Sequence, residues 1–151
     1  GGTTTIVYNT KTQKTEKQFL SLIGTLVNCS GGSTPWDTWI SCEETVFKEG
    51  VGINKMHGYN FEVIPFSNVM ESSPYPLESM GRFRHEAVAF DIHRGYVYQT
   101  EDRENGLFYK FIPKSKNKLY KGGKLQILSF ADWRGIDTKL ETKKYRYWEK
   151  I

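Results

Sequence analysis

Apolar and polar residues alternate along this chain in short bursts, each closed by glycine, asparagine or proline. A period of two predicts strands. Thr3 to Asn9, Thr-Thr-Thr-Ile-Val-Tyr-Asn, is β-branched almost throughout and opens the series. Thr10 to Glu16 is polar and turn-like, Lys17 to Ile23 is a second strand, and Leu26 to Cys29 a short third. Ser30-Gly31-Gly32-Ser33-Thr34-Pro35 is dense in breakers and predicts a loop. Trp36 to Glu44 returns as a strand with Trp39, Ser41 and Glu43 on one face and Ile40, Cys42 and Glu44 on the other. A glycine-spaced loop leads to Gly58–Pro65. The order then recurs: a strand over Glu86–Asp91, a turn at His93-Arg94-Gly95, strands over Tyr96–Glu101 and Gly106–Pro113, and a last one over Lys124–Phe130. No stretch carries a helical period.

The recurrence is a repeat. Leu22–Cys29 aligns with Ser79–Glu86 at an offset of 57, and the same offset carries Glu44 onto Glu101. Gly58–Pro65 and Gly106–Pro113 share the pattern Gly-x-x-aromatic-x-x-Ile-Pro, after a loop that is shorter in the second copy. Short antiparallel strands repeated at a fixed period predict an all-β fold made of four-stranded β-propeller blades. Residues 1–23 are then the end of one blade, 24–80 a second, 81–138 a third, and 139–151 has no assignment. A propeller closes its ring with roughly 4 to 8 blades. About two and a half blades leave strand-rich faces open, so the chain is expected to be a piece of a larger protein.

Composition fits a folded β domain. Of 151 residues, 38% are hydrophobic and 15% aromatic. No apolar run approaches the ~20 residues of a membrane helix, and no charged-then-apolar leader opens the chain. The net charge is +4, with the excess at Lys110 to Lys124 and Lys139 to Lys150. Those lysines suggest no base-stacking platform and read as solvated outer loops, not as a nucleic-acid surface. Two cysteines, Cys29 and Cys42, cannot define a disulfide scaffold. They sit at the two ends of one hairpin, where a bridge and two free thiols are both open.

Equivalent positions of successive blades converge on the propeller channel. Cys29 and Glu44 in one copy become Glu86 and Glu101 in the next, 15 residues apart both times. These four are the candidate metal ligands. Carboxylates suit hard cations such as calcium, and a thiolate admits a transition metal. Glu43-Glu44 and Glu101-Asp102 are acidic pairs at strand ends, and alternation lets one member of each face a shared site. Arg103 either pairs with its acidic neighbours or clamps a phosphate. His85 is a core histidine or a partner of a ligand. Gly31-Gly32 permits close backbone approach to a ligand and is equally ordinary turn chemistry. No Gly-x-Ser-x-Gly elbow, His-Glu-x-x-His helix or nucleotide-binding glycine loop is present.

Gly1-Gly2-Thr3-Thr4-Thr5, Asn28-Cys29-Ser30-Gly31-Gly32-Ser33-Thr34-Pro35-Trp36, Cys42-Glu43-Glu44-Thr45, Gly81-Arg82-Phe83-Arg84-His85-Glu86-Ala87 and Thr100-Glu101-Asp102-Arg103 resemble the PhoX-type alkaline phosphatases, in matching order over nearly all of residues 1 to 130. The resemblance implies a six-bladed propeller with an iron and calcium cluster in its channel, hydrolysing phosphate esters outside the cytoplasm, in the periplasm or beyond. It implies that Cys29 is an iron ligand and that Glu44 and Glu86 are metal-binding carboxylates, with Glu101 or Asp102 a further calcium ligand. The family's other blades and its phosphate-binding arginine are not in this sequence. The parent is therefore expected to be a phosphoric monoester hydrolase, and these residues alone an incomplete one that needs the remaining blades. Two alternatives stay open: a non-catalytic, calcium-stabilised propeller binding module, and a calcium-dependent propeller lactonase, which has no need of Cys29.

Overall fold

The computed structural model describes residues 1–68, 75–129 and 147–150. The end of the third expected segment, 130–138, and residues 139–146 and 151 lie outside the described residues. Among the described residues every element is a strand except two single 3₁₀ turns, Glu78–Met80 and Leu119–Lys121. The all-β expectation holds.

β1 (Gly2–Asn9) and β2 (Lys14–Ile23) form an antiparallel hairpin of their own. Its polar turn is held by Asn9, whose Oδ1 accepts the Lys11 and Thr12 N–H groups at 2.9 and 3.0 Å. An Asx turn of this kind lets the chain reverse without glycine.

The remaining strands make one sheet. β3 (Asn28–Ser33), β4 (Trp39–Glu43) and β5 (Asn60–Val63) run antiparallel. So do β6 (His85–Asp91), β7 (Tyr96–Glu101), β8 (Phe108–Pro113), β9 (Gly123–Ser129) and β10 (Tyr147–Lys150). The two meanders meet at a parallel seam, where β3 lies beside β6 through Gly31 and Ala87.

The breaker-rich stretch predicted as a loop is instead the body of β3. Gly31 has φ +62°, and a Cβ there would sit 1.6 Å from the Ile40 carbonyl oxygen. A Cβ on Gly32 would sit 2.2 Å from the Val88 carbonyl oxygen. The glycines admit β3 between two close neighbours; they break structure only when read in isolation. The reversal falls later, where Thr34 and Thr38 bond each other's backbone and side chains. β4 therefore begins at Trp39 and not at Trp36.

The core straddles the seam. Ile40, Val88, Val97 and Phe111, from β4, β6, β7 and β8, are buried in one cluster. Leu22 of β2 packs with Tyr59, Phe61 and Val63 in another. Each such side chain contributes about 1.5–3 kcal/mol by burial. A buried polar link also ties the meanders together: Asn60 Nδ2 donates to Gln99 Oε1 at 2.6 Å, and Gln99 Nε2 donates to the Met80 carbonyl at 3.1 Å. Gln99 is thus paired through both its amide oxygen and its amide nitrogen, while Asn60 Oδ1 stays buried without a partner.

Candidate metal centre

The parallel seam puts corresponding residues of the two copies side by side. Both hairpins have an irregular register just past the start, between Cys29 and Gly32 and between His85 and Val88. Such bulges re-aim side chains. Cys29 Sγ comes 3.1 Å from Glu86 Oε1 and donates to it. Glu44 follows β4 and extends its ladder, its N–H bonding the Val27 carbonyl at 2.9 Å. The ligand atoms of Cys29, Glu44 and Glu86 all lie within 4.8 Å of one another, and all three residues are half-buried.

The fourth position is not where the sequence offset put it. Asn28 pairs with Glu43 in the first hairpin, and His85 with Glu101 in the second. The second hairpin is therefore one residue longer, and the offset that fits β3 and β6 slips by one on the return strands. Asp102 is the counterpart of Glu44: its N–H bonds the Arg84 carbonyl at 3.1 Å, as that of Glu44 bonds Val27. Glu101 is the counterpart of Glu43. Its Oε2 accepts the Leu107 N–H at 3.2 Å and the Tyr109 hydroxyl at 3.0 Å, and its carboxylate does not join the three donors.

Charge in the cluster follows from this crowding. Hydrogen bonding to Asp102 is the main cause that raises the Glu44 carboxyl above its usual range. The bond to Glu86 is the main cause that raises the Cys29 thiol. Both shifts have the same origin, acidic groups gathered closely enough to disfavour the charged forms of Glu44 and Cys29.

Residues 2–148 match the family described as Alkaline phosphatase PhoX. This chain belongs to the PhoX family. Among solved structures it is similar to Pseudomonas fluorescens PhoX in complex with vanadate, a transition state analogue, with a TM-score of 0.59 and 22% identity. The likeness covers 90% of this chain and 33% of that one, so the chain spans about a third of the length of that relative. At this identity it shows a shared fold. No curated protein sequence matches the chain.

Around this PhoX-family cluster, buried groups fix the backbone. Glu43 is fully buried and accepts the N–H groups of Leu26, Gly58 and Tyr59 at 2.9, 2.7 and 3.1 Å, with His57 Nδ1 at 2.7 Å. Strand alternation alone does not assign this anchoring role to Glu43 and His57. The available signal is the pair Gly58 and Gly106, since each opens the segment that the carboxylate of Glu43 or Glu101 receives. His85 is a core residue. Its ring lies 3.7 Å from that of Phe83, its Nε2 is 3.2 Å from the Gly81 carbonyl oxygen, and burial lowers its pKa to about 4. Cys42 stands opposite Cys29 in register; both are free thiols, and burial pushes Cys42 up to about 12. Arg103 makes no ion pair among the described residues; it lines a cavity with Arg82 and Arg84.

Proposed function

We propose that this chain supplies part of the metal centre of a phosphatase that hydrolyses phosphate esters. In this reading β3–β5 and β6–β9 belong to successive blades of a six-bladed propeller, and the segments 1–23, 24–80 and 81–138 mark the blade boundaries. Cys29, Glu44, Glu86 and Asp102 are its ligands to iron and calcium, and the rest of the protein supplies the other ligands and blades. Family members' extracytoplasmic setting is carried over with the function.

One observation carries the reading: a thiol and two carboxylates from two repeats lie within 4.8 Å of one another. Donors that close can share an ion at roughly 2.0–2.6 Å from each. The donor chemistry fits both metals, since carboxylates suit calcium and a thiolate suits iron. Bound there, the cations would supply positive charge against the transferring phosphoryl group and acidify water. The chain's own residues prepare the site. Glu86 Oε1 stands where it takes the proton that Cys29 must lose to become a ligand. Gly31 and Gly32 keep β3 against its neighbours, so Cys29 is not free to drift. Glu43 and Glu101 anchor the segments that follow Glu44 and Asp102. Phosphoryl-transfer enzymes owe most of their rate to positioning and preorganised charge of this kind.

Metal analysis of the full-length parent and a simple phosphomonoester assay on it, each with calcium and with a chelator, test the reading. Iron together with calcium, and calcium-dependent turnover nearly abolished by Cys29→Ala or Glu86→Gln, supports it. Calcium alone, or parental rates in both variants, overturns it.

A further inference from the structure

Three arginines, Arg82, Arg84 and Arg103, line a cavity of about 670 Å³ near the start of β6 and the end of β7. No ion pair among the described residues neutralises any of them. One carboxylate, Glu101, also lines the cavity. Its Oε2 accepts the Leu107 N–H and the Tyr109 hydroxyl, and its single negative charge leaves the three arginines in excess. Arg82 is fixed by a 2.8 Å bond from Nη2 to the Phe47 carbonyl, while its buried Nε has no acceptor. A buried N–H without a partner is costly unless something polar completes it. Arg84 and Arg103 are exposed, so their guanidinium groups are open to solvent. Three planar guanidiniums suit an oxyanion that accepts bidentate bonds.

We propose that this cavity binds a phosphate group carried by an organic molecule. Phe83 and Leu125 provide an apolar wall for the organic part. The volume lies in the range of small-molecule sites, roughly 300–1,000 Å³, and far exceeds a bare ion's need. None of Cys29, Glu44 and Glu86 lines the cavity, yet Arg103 directly follows Asp102 and the Arg84 carbonyl accepts the Asp102 N–H. The cavity therefore adjoins the metal centre without being part of it. Resting on the phosphatase reading, the ligand is the second, non-reacting phosphate of a bisphosphate substrate.

Inorganic phosphate is the first probe, titrated calorimetrically into protein stripped of metal and desalted. The wild type should bind one phosphate, at least tenfold more weakly in 0.5 M salt. The Arg84→Ala/Arg103→Ala double variant should lose at least tenfold in affinity. Arg103→Lys, which keeps the charge and the fold but not the fork, should lose at least threefold. Cys29→Ser should bind like the wild type. No binding by the wild type, as when a carboxylate elsewhere in the protein fills the cavity, overturns the proposal, and so does undiminished binding by the double variant. In the metal-loaded full-length parent, the double variant should raise KM for a sugar bisphosphate at least tenfold and leave KM for a nitrophenyl phosphate within twofold. Equal changes for both esters overturn the substrate assignment. Intact phosphate binding with no hydrolysis of either ester by the metal-loaded full-length parent overturns the phosphatase reading and supports the anion site by itself.

Discussion

Glu43 and Glu101 hold the same place in successive hairpins, and each receives backbone N–H groups from the segment that leads into the next strand. Glu43 takes those of Gly58 and Tyr59, and Glu101 that of Leu107. Their chain neighbours, Glu44 and Asp102, take the opposite direction and meet each other beside Cys29. One carboxylate of each acidic pair braces the backbone, and the other faces its counterpart from the neighbouring hairpin.

The two classes should separate under conservative substitution. Glu43→Gln keeps the size but loses charged bonds to buried donors, worth about 1.5–3 kcal/mol each. It should lower unfolding free energy by about 3 kcal/mol, and Glu101→Gln by about half of that, in urea titrations. Glu44→Gln and Asp102→Asn should leave those titrations nearly unchanged in metal-free protein and strip metal from the loaded protein. Equal metal loss in all four variants contradicts the division.

Gly31 and Gly24 share a positive φ but differ in surroundings. A Cβ on Gly31 would meet the Ile40 carbonyl oxygen at 1.6 Å, while a Cβ on Gly24 would meet nothing within 4 Å. Gly24→Ala should therefore cost only the backbone strain, about 1 kcal/mol. Gly31→Ala must also push β3 from β4 and should cost about 3 kcal/mol or more. It should also lower metal affinity, because Cys29 moves with β3. Thermal melts and metal titration of the two variants check both halves.

Much of the fold is legible in the sequence because strands alternate. Most strands fall close to the segments that the alternation marked, and the Cys29–Glu86 meeting follows from the repeat alone. Three features escape that reading. β3 is glycine-rich because its neighbours are close, and closeness is a tertiary fact that no local pattern carries. That Asp102 and not Glu101 takes the place of Glu44 depends on one extra residue in the second hairpin, which strand alternation turns into a change of face. Arg82, Arg84 and Arg103 come together only when the start of β6 meets the end of β7.

The two thiols should differ in reactivity although they face each other across β3 and β4. Cys42 is fully buried and its pKa is pushed up to about 12, while Cys29 is half-buried. A maleimide at neutral pH should modify Cys29 alone in metal-free protein and both residues after denaturation. If Cys29 is a ligand, loaded protein should resist labelling at both positions. Fast labelling of Cys42 in the folded protein contradicts its burial.

His85 sets an acid limit on stability. Its folded pKa is about 4, lowered chiefly by burial from the 6.5 of a free imidazole. Above pH 6.5 neither the folded nor the unfolded form takes up this proton, and the neutral ring packs on Phe83 at full strength. As pH falls below 6.5 the unfolded chain binds the proton and the folded one does not. Stability is thus lost progressively down to pH 4, by up to about 3 kcal/mol. Many carboxylates titrate in the same window, so the contribution must be read by difference. The first copy supplies the substitution: Asn28 occupies the equivalent place and bonds Ser41 Oγ at 2.8 Å. His85→Asn forfeits the ring contact at every pH and should be the less stable protein at pH 7.5, by about 2–3 kcal/mol. It carries no proton-linked penalty, so by pH 4.5 the gap should close by about 2 kcal/mol or more. Urea midpoints of the two proteins at both pH values, with a chelator present to keep metal out of the comparison, decide it. A gap that stays constant means that His85 takes up its proton without unfolding, and the buried neutral imidazole is then the wrong description.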